Sequence, residues 1–120
     1  MWYTKFIRQR TMEISFTDNK LCKLCENEKT LRKKYGKEMV KKLQNRLRDL
    51  LAAPCITDLP YGKPHPLKGS RKGQLSITIH QGLRLIVKPA NHPVPKDQEG
   101  NVLWDKVTMI CIIGIEDYHD

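Results

Sequence analysis

Pro64-His65-Pro66-Leu67-Lys68-Gly69-Ser70-Arg71-Lys72-Gly73-Gln74 runs straight into Leu75-Ser76-Ile77-Thr78-Ile79, so turn chemistry gives way to strict alternation. Pro64 and Pro66 stiffen the approach, and Gly69 and Gly73 permit backbone turns that other residues resist. Leu75, Ile77 and Ile79 then alternate with Ser76, Thr78 and His80, the pattern of a half-buried strand. His65, Lys68, Arg71 and Lys72 place an imidazole and a cluster of cations just before that strand. No Asp or Glu occurs between Leu59 and Lys96. Such a surface suits a phosphate-rich ligand.

Downstream, Gln81-Gly82 makes a hairpin turn and Leu83-Arg84-Leu85-Ile86-Val87-Lys88 returns as the partner strand. A polar, Pro-containing connection over 89–105 follows, unusually long for a compact domain. Residues 107–115, Val-Thr-Met-Ile-Cys-Ile-Ile-Gly-Ile, are apolar on both faces, as a central strand requires. Upstream, Glu13-Ile14-Ser15-Phe16 reads as a first strand, with Thr17 or Asp18 capping a helix that carries Leu21, Leu24, Cys25 and Leu31. Tyr35-Gly36 breaks that helix. In the next one Met39, Val40, Leu43, Leu47, Leu50 and Leu51 make one apolar face, with Lys41, Lys42, Arg46 and Arg48 off it, and Pro54 ends it.

Strand, helical hairpin, then strands predict an α+β fold: a helical hairpin packed on one face of an antiparallel sheet of about four strands, the other face open to a ligand. The expected domain is single, residues 12–120, with 1–11 as an N-terminal extension.

At 120 residues, 39% hydrophobic and 29% charged, the composition is that of a soluble globular protein. Neither a membrane span nor a signal-peptide apolar run is visible, so a cytoplasmic location is expected. The net charge of +9 is unevenly spread: residues 59–96 carry 7 Lys or Arg and no acid, whereas 97–120 carry 1 against 6. A basic body points to nucleic acid or an acidic protein partner. Cys22-x-x-Cys25 lies on an apolar helical stripe, and Cys55 and Cys111 are isolated, so the four cysteines read as structural thiols; no metal or cofactor is expected.

Asp117, Tyr118 and His119 close the last strand and bring an acceptor, a phenol and an imidazole to one end of the sheet. Together with the basic segment they suit RNA cleavage by the ribose 2′-hydroxyl. That reaction needs a base for the hydroxyl, cations for the transition-state charge and an acid for the departing 5′-oxygen. Imidazole is tuned for such proton transfers. Lys68, Arg71 and Arg84 offset the charge, Tyr118 stacks on a base or assists a proton transfer, and Lys63, Arg71, Lys72 and Lys88 are expected to hold RNA phosphates.

His65-Pro66-Leu67-Lys68-Gly69-Ser70-Arg71-Lys72-Gly73-Gln74, Leu83-Arg84-Leu85-Ile86 and Glu116-Asp117-Tyr118-His119 resemble the HigB branch of the RelE/ParE toxin superfamily. The similarity runs from about Met12 to His119. It departs from the family pattern at Ser70, where Asp is common, and at Leu75 and Leu83, where aromatics are. The resemblance implies a type II toxin: a ribosome-dependent mRNA endoribonuclease acting on mRNA in the ribosomal A site. It also implies a HigA-type helix-turn-helix antitoxin as partner, with operator DNA reached through that antitoxin. Carried over, the active-site pattern falls on His65, Lys68, Arg84, Asp117, Tyr118 and His119. Two other readings stand beside it: a non-catalytic gyrase poison like the ParE branch, and a basic RNA- or ribosome-binding protein. The closing Asp-Tyr-His favours the enzyme, since a gyrase binder needs no terminal acid–base group.

Overall fold

A computed structural model describes residues 12–59 and 61–117. The expected extension over 1–11 lies outside the described residues, as do Tyr118 and His119. The elements are β1 (Glu13–Phe16), α1 (Asn19–Glu26), α2 (Glu28–Tyr35), α3 (Lys37–Ala52), β2 (His65–Pro66), β3 (Leu75–His80), β4 (Leu83–Pro89) and β5 (Met109–Asp117). The α+β class is as expected, and the chain forms one five-stranded sheet in the order β1-β5-β4-β3-β2.

Three details differ from the sequence reading. First, the sheet is mixed rather than antiparallel: β1 pairs with β5 in parallel. The helices intervene between these strands, and a crossover, unlike a tight hairpin, permits the parallel sense. Second, β2 adds a fifth strand at the opposite edge, pairing His65 with Ser76 and Pro66 with Leu75. At two residues it is too short to show alternation. Third, the first helix of the expected hairpin is two helices. Asp18 caps α1 by accepting from Leu21 N–H at 2.8 Å, and Asn27 caps α2 by accepting from Thr30 N–H at 3.1 Å. Asn27 offers the backbone a cap in place of a continued helix.

Leu31, Met39, Val40, Leu43 and Leu50 from the helices meet Leu75, Ile77, Ile79, Leu85, Val87, Ile110 and Ile112 from the sheet in one core. Leu51 is 51% exposed and is not part of it. Arg46 instead occupies the helical face, between Leu43 and Leu50, with its side chain 12% exposed. A bulge keeps the register productive: Ile86 opposes Gly114 but Val87 opposes Ile112. The extra residue, Ile113, lets both Ile112 and Ile115 pack on the core side of β5.

The long connection is ordered. Asn91 Oδ1 accepts from the N–H groups of Thr108 and Met109 at 3.1 and 3.0 Å. Lys96 bridges Val102, and Val102 and Trp104 pack against the core. Among the described residues no helix is long and apolar enough to cross a membrane.

Candidate active site

Directly opposed residues of neighbouring strands point to the same face of a sheet. The register therefore makes two rows on the face away from the helices. One holds His65, Ser76, Ile86 and Gly114, the other Thr78, Arg84 and Glu116. A groove of about 800 Å³ opens there, lined by Lys63, Pro64, His65, Leu67, Ser76, Thr78 and Arg84, with Gly62 and Arg46 at its edge. Of the cations and imidazoles expected from the sequence, this groove brings together Lys63, His65 and Arg84. His65 is exposed on the short edge strand. Arg84 is half-buried, and its Nη1 donates to Thr78 Oγ1 at 2.8 Å. The strand hydroxyl thus aims the guanidinium along the face.

The edge of the groove is clamped by Gly62 and by Arg46, which the sequence reading places off the apolar helical face. Beyond Ser76 the outer edge of β3 has no strand partner, and an open edge leaves N–H and C=O groups to be satisfied. Thr78 N–H donates to Gly62 O at 2.7 Å, and Arg46 Nε donates to Thr78 O at 3.0 Å. Arg46 Nη1 also pairs with Asp49 Oδ2 at 2.8 Å. Gly62 has φ +94°, and a Cβ there would stand 2.7 Å from Ile77 Cγ2 and 3.0 Å from Arg46 Nε. Only glycine lets the backbone come this close. Lys63 follows with φ 42°, a left-handed conformation that a non-glycine residue rarely adopts. The one available signal for Arg46 was its position, three residues after Leu43 and four before Leu50 on the apolar stripe.

The remaining expected residues disperse. Arg71, read as an RNA-binding cation, is bound to Glu116: Nη1 donates to Oε1 at 2.8 Å and Nη2 to Oε2 at 2.6 Å. Arg71 Nε donates to Gln74 Oε1 at 3.0 Å. A bridge from the β2–β3 connection to β5 has to pass over β3 and β4, and there Ser76 and Ile86 are 2% and 0% exposed. The face expected to be open is therefore partly roofed, because this ion pair reaches across it. Lys68 and Lys72 line a second groove of about 750 Å³, between the turn at 66–73 and the long connection, with Lys96, Glu99 and Trp104. Leu67 lines both grooves. Lys88 is exposed opposite Cys111, about 13 Å along β4 from Arg84. Asp117 opposes Leu83, so its side of the sheet is the one opposite to Glu116.

The four cysteines are free thiols. Burial, then the neighbouring Cys22 and Glu26, push the Cys25 thiol up to about 11, and Cys22 Sγ donates to Glu26 Oε1 at 3.2 Å. Among the described residues no group of three or more His, Cys, Asp or Glu is placed to hold a metal ion. Asp97 Oδ1 accepts from the N–H groups of Glu99 and Asn101, both at 2.9 Å. The Asn101 N–H contributes most to holding that carboxyl below its usual range.

Three helices packed on one face of a five-stranded mixed sheet in this order are the fold of RelE/ParE-like toxins. The chain is similar to a YoeB/ParE toxin from Agrobacterium tumefaciens, at 19% identity and a TM-score of 0.53 over 90% of this chain and 100% of that one. It is also similar to YoeB from Staphylococcus aureus, solved as a dimer, at 23% identity and a TM-score of 0.52 over 92% and 99% of the two chains. No family model matches the sequence, and no curated protein does.

Proposed function

We propose that this chain is the toxin of a type II toxin–antitoxin system and cleaves mRNA on the ribosome. The observation that carries this reading is His65 and Arg84 in one groove on the free face of a RelE/ParE-like sheet. In the reaction, the ribose 2′-oxygen attacks phosphorus while its proton passes to a base. The bond from phosphorus to the 5′-oxygen breaks, that oxygen takes a proton from an acid, and a 2′,3′-cyclic phosphate is left. Arg84, steadied by Thr78, sits against the non-bridging oxygens, where charge grows most in the transition state. Lys63 and Lys68 add positive potential from the two grooves. His65 takes one proton-transfer role and the closing Tyr118-His119 the other.

A HigA-type antitoxin with an acidic segment and a helix-turn-helix would cover this basic surface and link the chain to operator DNA, and the complex would act in the cytoplasm. The +9 charge favours approach to ribosomal RNA and to such a segment alike. The test is primer extension on a reporter mRNA in a reconstituted translation system, comparing the chain with His65→Ala and His119→Ala, with and without ribosomes. Cuts within codons that need ribosomes and disappear in the variants support the reading. Intact mRNA beside actively translating ribosomes overturns it; gyrase-dependent DNA breaks would then place the chain with the ParE-type poisons.

A further inference from the structure

We infer that Tyr61 is a stacking platform for an RNA base adjacent to the nucleotides held in the His65 groove. This subsite rests on the RNA-cleaving reading above. Tyr61 is 67% exposed, and a hollow of about 470 Å³ beside it is lined by Lys42, Asn45, Arg46, Arg48 and Asp49 of α3. A lone exposed aromatic needs no explanation by itself. This one differs in how it is held, in what surrounds it and in what it adjoins.

Its backbone is fixed from the next residue. Gly62 accepts from Thr78 N–H at 2.7 Å and has no room for a Cβ against Ile77 and Arg46. The phenol ring is thus presented from a clamped position, so little conformational freedom is lost when a base settles on it. The hollow is also unevenly charged. Its one acid, Asp49, is held by Arg46 at 2.8 Å, whereas Arg48 donates to the neutral Asn45 Oδ1 at 3.0 Å. Lys42 and Arg48 therefore leave a positive rim around an aromatic face. Cations that follow a backbone, interleaved with a ring on which any base can stack, are the usual means of holding single-stranded nucleic acid. Arg46 lines both this hollow and the His65 groove, and Gly62 joins Tyr61 to the latter, so one strand can occupy both.

The test is fluorescence anisotropy of the full chain with a labelled single-stranded RNA octamer, 2′-O-methylated throughout so that it is not cut. Tyr61→Ala should weaken binding on the order of 10- to 100-fold, the effect of losing one stacked base. Tyr61→Phe and Tyr61→Trp should bind within about twofold of the parent, since each keeps a ring. An abasic residue at the stacked position should erase the difference between parent and Tyr61→Ala. Equal binding by Tyr61→Ala, failure of Phe to rescue, or no RNA binding by the parent overturns the subsite. So does a Tyr61→Ala defect confined to capture of an acidic protein segment, which makes the patch a protein-docking surface. The two proposals fail separately. Ribosome-dependent cleavage with binding indifferent to Tyr61 removes only the subsite, and Tyr61-dependent binding without cleavage removes only the nuclease.

Discussion

Arg71 and Glu116 form a two-pronged ion pair, 2.8 and 2.6 Å between paired atoms, that ties the β2–β3 connection to the far end of β5. Glu116 also opposes Arg84 in the β4–β5 register, so one carboxylate stands near two arginines. The pair orders the turn carrying Lys68 and Lys72 against the strand that leads into the closing residues.

Glu116→Gln should lower stability by about 0.5–1 kcal/mol in urea unfolding, because both partners are more than a third exposed and water screens them. The same variant removes a negative charge beside two arginines. RNA affinity at low salt should therefore rise, with a steeper dependence of log K on log salt. An unchanged salt slope would separate this pair from the RNA-binding surface.

Gly62→Ala should cost more than the same change at Gly36, Gly69, Gly73, Gly100 or Gly114, at about 2 kcal/mol or more in chemical denaturation, since it combines a positive φ with a 2.7 Å clash. Gly73 has φ +96° but nothing within 4 Å of a Cβ, so Gly73→Ala should cost about 1 kcal/mol. Equal losses would mean that the close approach at Gly62 relaxes freely.

Arg46→Met keeps much of the aliphatic stem on the helical face but removes the donor to Thr78 O and leaves the Asp49 carboxylate without this partner. A loss of about 2 kcal/mol is expected, with part recovered in Arg46→Met/Asp49→Asn. A double variant no more stable than the single one would assign the whole effect to the edge of β3.

Thr78→Val preserves shape and removes the hydroxyl that receives Arg84 Nη1. If the proposed nuclease is correct, single-turnover cleavage should slow about tenfold, roughly 1.4 kcal/mol, with little change in RNA affinity. A fall in affinity with an unchanged rate would make Arg84 a binding residue only.

Cys25 should resist alkylation at pH 8 far more in the folded chain than in the urea-unfolded chain, because folding raises its thiol to about 11 while the reactive form is the thiolate. A thiol pKa higher in the folded chain than in the unfolded one contributes stability that is complete below the unfolded pKa. That contribution is lost as pH rises through about 9 to 11, so unfolding midpoints should fall across that window. Cys25→Ala should flatten this part of the pH profile.

The extent to which sequence alone defined this protein follows from the range over which each interaction acts. The alternation at Leu75–Ile79, the stop at Tyr35-Gly36 and a cap at Thr17 or Asp18 are local regularities found in the structure, with Asp18 as the cap, and the apolar run read at 107–115 forms β5 two residues further on, at Met109–Asp117. The β-hairpin at Gln81-Gly82 is equally local, with Gln81 at φ 53°. The two-residue β2, the parallel pairing of β1 and the order of the long connection depend on partners tens of residues away and leave no periodic trace. The site divides in the same way. His65 and Arg84 were legible as chemical types, and strand parity put Arg84 on the free face. Whether a given cation meets a phosphate or a carboxylate is another matter. Composition counted Arg71 among the free charges, and only the folded chain brings Glu116 within 2.6 Å of it. Sequence determined the longer elements and the inventory of charges; tertiary structure decided which charges are already paired, because ion pairing depends on distance through space and not along the chain.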